Sequence, residues 1–344
     1  MTELWHRPVD RQVSLVDGDP RSGARNLLLN CAGLLAGQRI VLLAEDPALG
    51  WYDAEASGIT ADVAREMGGD VTVLPVGAPD AAIPPGVDRL ASQADIVVFF
   101  ARIGDQARFS ARRYPGICVM VYARTATALG SPFGTRPHGA MRALKKEIHA
   151  RVFGARRLQV SCPKGTELTG LMPRIDPERA ADVTILRFPM CVPAPVPAAT
   201  FSGRVALSGW LTPTGSRAYH PACLKLEHDV IALIENGRIA GFDGPSRAVE
   251  AIRRHYDRVA KQFDLDADAV HSFHAGIHDG CVHPCAAEDD PDLWSNTVFG
   301  SPRYLHVHTC GAEPPGEICW MVENPTVSAD GIAIWSSGTL IPAN

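Results

Sequence analysis

The sequence predicts an α/β N-terminal domain, a Rossmann-like parallel sheet flanked by helices over residues 1–155, followed by an α+β domain with a mainly antiparallel sheet over 156–344. Three observations carry this expectation. Continuous apolar runs alternate with helix-like segments through about the first 130 residues, the pattern of parallel strands with crossover helices. Later runs alternate apolar and polar residues or flank tight-turn dipeptides. Finally, six of the twelve histidines fall between 271 and 308, inside the antiparallel half.

In the first unit, QRIVLLAE (38–45), DVTVLPVG (70–77), ADIVVFFA (94–101) and ICVMVYAR (117–124) are rich in Val and Ile, as strands buried on both faces are. DAEASGITADVAREMGG reads as a helix closed by glycine. No GxGxxG follows the first strand. LLAEDPALG offers one glycine and an acidic pair, a poor cradle for phosphate, which argues against a dinucleotide site.

From about residue 137, PHGAMRALKKEIHARVF predicts a connecting helix and RRLQVSC a strand. The four prolines of RFPMCVPAPVPAAT exclude a regular helix or a central strand there. GRVALSGWL resumes strand character, and Asn236-Gly237 in DVIALIENGRIAGFDG marks a type I′ hairpin turn. In PSRAVEAIRRHYDRVAKQF, Pro245 suits the first helical position. Val249, Ile252, Tyr256, Val259 and Phe263 recur at spacings of three and four, so one helix face docks on the core.

Composition narrows the function classes. A net charge of −5 and a pI near 6.2 argue against a nucleic-acid partner, because such affinity rests on clustered Lys and Arg neutralising phosphates. No apolar run approaches the roughly 20 residues that span a bilayer, and MTELWHRPVDRQ has no apolar core of a secretory signal. Nine cysteines without the regular spacing of a secreted scaffold predict reduced thiols and a cytoplasmic protein.

The histidines carry the chemistry. In RYLHVHTCG, Tyr304, His306, His308 and Cys310 alternate with Leu305, Val307 and Thr309, so the two imidazoles share one face of a strand at about 7 Å spacing. In HSFHAGIHDGCVHPC, His274 and His278 stand about 13 Å apart on a straight strand, too far to share an ion with ease. One of the two is therefore a ligand and the other lines the pocket. Cys281 and Cys285 read as packing residues before half of a zinc site, and only Cys310 shares the face of the histidine pair. Glu167, Glu313, Glu317 and Glu323 are carboxylates that could complete a coordination sphere, and Trp294, Trp320 and Tyr304 are candidates for an aromatic pocket wall.

Several of these segments resemble the aminopeptidase T-like metallopeptidases and, within that superfamily, the 2,5-dihydroxypyridine 5,6-dioxygenases. NLLLNCAGLLAGQRIVLLAED resembles their opening strand, KGTELTG their G-T-D-L-T element, RFPMCVPAP their N-L-P-x-G-E-V region, FHAGIHDG the dioxygenase S-H-I-G-W-G, and LHVH the H-x-D. Met190-Cys191-Val192 stands where the peptidases carry a metal-binding glutamate, and His274 where they carry another. The resemblance thus implies His274 and His306 as metal ligands. The third, an aspartate in the family, is His308, which turns a two-His-one-carboxylate triad into a three-His site.

The implied activity is Fe(II)-dependent ring cleavage of a small hydroxylated aromatic or N-heteroaromatic substrate with O2. The alternative is a metallohydrolase (aminopeptidase, amidase or aromatic aminohydrolase) that uses Zn(II) or Mn(II) to activate water. His278, Asp279, His271 and His283 are the candidates for proton transfer. The resemblance also implies a homo-oligomer.

Overall fold

The computed structural model describes residues 18–107, 114–173, 185–213, 215, 218–281 and 285–342, so the candidate His283 lies outside the described residues. The four apolar runs of the first unit form strands Arg39–Glu45, Asp70–Val76, Ile96–Phe100 and Ile117–Val121, all parallel. Helix Ala54–Glu66 starts at Asp53, whose side chain accepts from the Ala56 amide, and its chain exits through Gly68 at φ 83°, a conformation only glycine adopts without strain. The fifth strand of this sheet, Leu186–Phe188, comes from beyond residue 155 and pairs with Ile117–Val121. The proline-rich segment thus returns to the N-terminal sheet before it enters the second one.

Two antiparallel sheets make up the rest. One has six strands, with Tyr304–Cys310 between Val270–Ala275 and Glu317–Glu323. Pro197 sits in the edge strand Val196–Pro197 of that sheet, where its missing N–H costs least. The other sheet has eight strands and includes the Val230–Glu235 and Arg238–Asp243 hairpin. Asn236 and Gly237 both take positive φ, as a type I′ turn requires. Helix Ser246–Phe263 buries Ile252, Tyr256 and Val259. Pro245 caps it from an extended conformation, one position earlier than the sequence pattern predicts.

The pleat of the six-stranded sheet separates two environments. Phe273, Leu305, Val307, Ile318, Trp320 and Val322 enter the core shared with the eight-stranded sheet, where Phe273 meets Phe201 edge-on at 4.9 Å between ring centroids. The intervening residues face the other way. Met321 belongs to the apolar cluster of the N-terminal sheet, together with Val298 and Phe299. The face opposite the inter-sheet core is therefore covered by the α/β unit. Burying it costs little where it is Met or Cys, and demands hydrogen bonds or an ion where it is His or Glu.

Candidate metal centre

His274, His306 and His308 occupy that covered face. In the sheet register His274 is directly opposite His306, and His308 is opposite Cys319 on the far side. Two strands therefore deliver three imidazoles to one point. One ligand-capable nitrogen from each lies within 4.8 Å of the others, and all three residues are buried. The rings crowd closely, with centroids of His306 and His308 4.6 Å apart and those of His274 and His308 5.1 Å apart. Imidazole nitrogens are the commonest protein ligands for metal ions, and three of them converging this closely are a donor set that one cation can span.

His308 shows which nitrogen is available. Its Nδ1 is hydrogen-bonded to the carboxylate of Glu317, which is 2% exposed, while its buried Nε2 has no hydrogen-bond partner among the described residues. A carboxylate on Nδ1 holds the proton there and presents the Nε2 lone pair inward, the second-shell arrangement found behind metal-bound histidines. The donors thus fit a single divalent metal ion held by three nitrogens. Cys319 Sγ is 4.0 Å from His308 Nδ1, and its thiol lies near the same atoms as Glu317.

Two expectations about this neighbourhood are revised. Among the described residues, the thiol beside the histidines is that of Cys319, not Cys310, because cross-strand register sets the neighbour rather than alternation within one strand. Glu317 is a buried partner of a histidine and not a surface carboxylate. Its neighbours Ile318, Trp320 and Val322 alternate with it as a strand facing two interiors, the one sequence signal that could have found it.

The remaining candidates are elsewhere. Glu167 is exposed and paired with Arg204, Glu313 is exposed, and Glu323 pairs with Arg303 and Lys164. Trp320 is buried between the two antiparallel sheets, where its Nε1–H donates to Tyr256, so it is no pocket wall. A register shift between Val270 and Ser272 accompanies a turn of His271 away from the trio, and its Nε2 bonds the Cys310 carbonyl at 2.8 Å. His278 is fully buried edge-on to Phe133, and its Nδ1 accepts from the Gly280 amide. Burial and then the nearby Arg136 cation lower its pKa to about 4, so it is neutral at pH 7 and a weak proton acceptor. Asp279 forms an ion pair with Arg136, and both line a cavity of about 550 Å³ whose lining, which includes Tyr304, contains none of the three clustered imidazoles.

Phe299 bridges the centre to the N-terminal sheet. Its ring lies 6.4 Å from His274, 6.2 Å from His306 and 5.3 Å from Tyr122. Tyr122 in turn donates to Asp105 at 2.6 Å. Among the described residues no helix is long and apolar enough to cross a membrane.

No protein-family model matches the sequence, and no curated protein matches it. Among solved structures the chain is similar to 2,5-dihydroxypyridine dioxygenase from Pseudomonas putida KT2440, with 13% identity and a TM-score of 0.60 over 94% of this chain and 97% of that one. It is also similar to wild-type AmpT from Thermus thermophilus, with 14% identity and a TM-score of 0.53 over 94% and 99%. These likenesses establish a shared two-domain α/β fold.

Proposed function

We propose that the chain is a mononuclear metal-dependent enzyme that holds Fe(II) on His274, His306 and His308 and cleaves the ring of a small hydroxylated aromatic or N-heteroaromatic compound with O2. One observation carries the reading: His308 offers an open, buried Nε2 to two converging imidazoles while Glu317 fixes its other nitrogen. When bound, the ferrous ion supplies a centre that can chelate an electron-rich substrate and engage O2.

The protein's own groups do the rest. The three imidazoles are neutral ligands, so the cation keeps its full charge toward adjacent substrate oxygens. Glu317 offsets that charge from behind His308 and fixes the orientation and tautomer of its imidazole. Phe299 packs against His274 and His306, and it and Met321 join the apolar cluster of the N-terminal sheet, so the centre is flanked by apolar side chains. With no carboxylate among the three nitrogen donors, the set suits one metal ion rather than the carboxylate-bridged pair of a two-metal peptidase.

The test is metal analysis of anaerobically purified protein, paired with O2 consumption on dihydroxypyridines and aminophenols. Stoichiometric iron with substrate-dependent O2 uptake is expected. Tightly held zinc, no O2 uptake after iron is supplied, and release of ammonia or an amine would instead identify a hydrolase.

A further inference from the structure

Arg124 is 2% exposed, and none of its three guanidinium nitrogens has a hydrogen-bond partner among the described residues. A guanidinium stays charged at any physiological pH, so this is a buried cation without a paired anion among the described residues. The surrounding carboxylates are committed. Glu45, fully buried, takes the Arg102 side chain and its backbone amide. Asp53 accepts from the amides of Ala56 and Ala126, and Asp105 accepts from Tyr122. The Tyr52 hydroxyl donates to the Val121 carbonyl at 3.0 Å. Arg124 rests against aromatic rings, with its guanidinium carbon 4.8 Å from the Trp51 centroid and 5.7 Å from that of Tyr52.

Its position in the fold is equally specific. Glu45, Arg102 and Arg124 stand at or just past the carboxyl ends of three adjacent parallel strands, and the sheet order reverses between the strands that carry Glu45 and Arg102. Open α/β sheets bind ligands in the crevice outside those ends, at such a reversal. The same ends face the metal centre: Tyr122, two residues before Arg124, touches Phe299, which touches His274 and His306.

We propose that Arg124 binds the carboxylate of the substrate, which makes the substrate an aromatic carboxylic acid with its ring held between this arginine and the three imidazoles. The ring's identity rests on the ring-cleavage reading, whereas the demand for an anion rests on Arg124 alone. A planar guanidinium matches a carboxylate with two parallel hydrogen bonds, and Trp51 and Tyr52 fix its plane.

The test is calorimetric titration of the full chain under anaerobic conditions, metal-loaded and metal-stripped, with 2,5-dihydroxybenzoate and with hydroquinone, which lacks only the carboxylate. The wild type is expected to favour the acid by about 30-fold or more in both metal states, as for a buried charge pair. Arg124→Gln should bring the two probes within about threefold, and Arg124→Lys, a point charge in place of a fork, should fall between. Equal wild-type affinities, no measurable binding of the acid, or a preference that survives in Arg124→Gln each overturn the proposal. If Arg124→Gln fails to fold, as circular dichroism would show, Arg124→Lys and the wild-type comparison decide. Metal content measured on the same samples separates the two readings. A wild type that binds no metal yet prefers the acid refutes the metal centre alone, and one that holds metal without that preference refutes the arginine site alone.

Discussion

Glu317→Gln is the sharpest probe of the centre, because it removes one charge and almost no volume. The carboxylate is 2% exposed and sits on His308 Nδ1, so its contribution is neither screened by water nor shared with solvent. The glutamine oxygen can still accept from Nδ1, which keeps the ring in place, but the hydrogen bond loses its charge assistance, about half its strength. Losing such a partner behind a metal-bound histidine weakens metal binding about 10- to 100-fold, or about 1.4 to 2.7 kcal/mol. Glu317→Ala should do worse, since it also strands a buried Nδ1–H at about 1–3 kcal/mol. The assay is competition against a chelator of known affinity under anaerobic conditions, with circular dichroism confirming the fold. Metal affinity of Glu317→Gln within about threefold of wild type would refute the role given to this carboxylate.

His306→Ala and His308→Ala should each abolish stoichiometric metal binding and leave the far-ultraviolet spectrum unchanged. If both keep one equivalent of metal, the centre is elsewhere. Arg102→Ala strands the fully buried Glu45 carboxylate and should cost about 3–5 kcal/mol in chemical denaturation, well beyond an exposed ion pair. Acid should destabilise the protein through His138, His255 and His278, each lowered by burial from the ordinary 6.5 to about 4. Between those values the unfolded chain binds more protons than the folded one, so stability is full above pH 6.5 and falls as the pH drops toward 4. The slope is about 1.4 kcal/mol per pH unit for each ring. Unfolding midpoints that do not change between pH 7 and pH 4.5 would contradict that burial.

How much of this the sequence could determine follows from the range of each interaction. Apolar runs such as IVVFF at Ile96–Phe100 and the period-two pattern of Tyr304–Cys310 are local, and they specified parallel strands in one half and a two-faced strand in the other. Asn236-Gly237 specified its turn for the same reason, since positive φ is a property of the residues themselves. Alternation also put His306 and His308 on one face. It could not say what stood opposite them. The pairing of His274 with His306 and of His308 with Cys319, and the reach of Glu317 to His308, depend on register between strands, and a slip of one residue would turn every side chain to the other face. Arg124 shows the same limit across domains. In the sequence it is one more arginine after a strand, and only the packing that buries it without a hydrogen-bond partner among the described residues makes it a candidate for binding an anion. Burial and register are set by contacts between residues far apart in the chain, so they belong to the tertiary structure and not to any one segment.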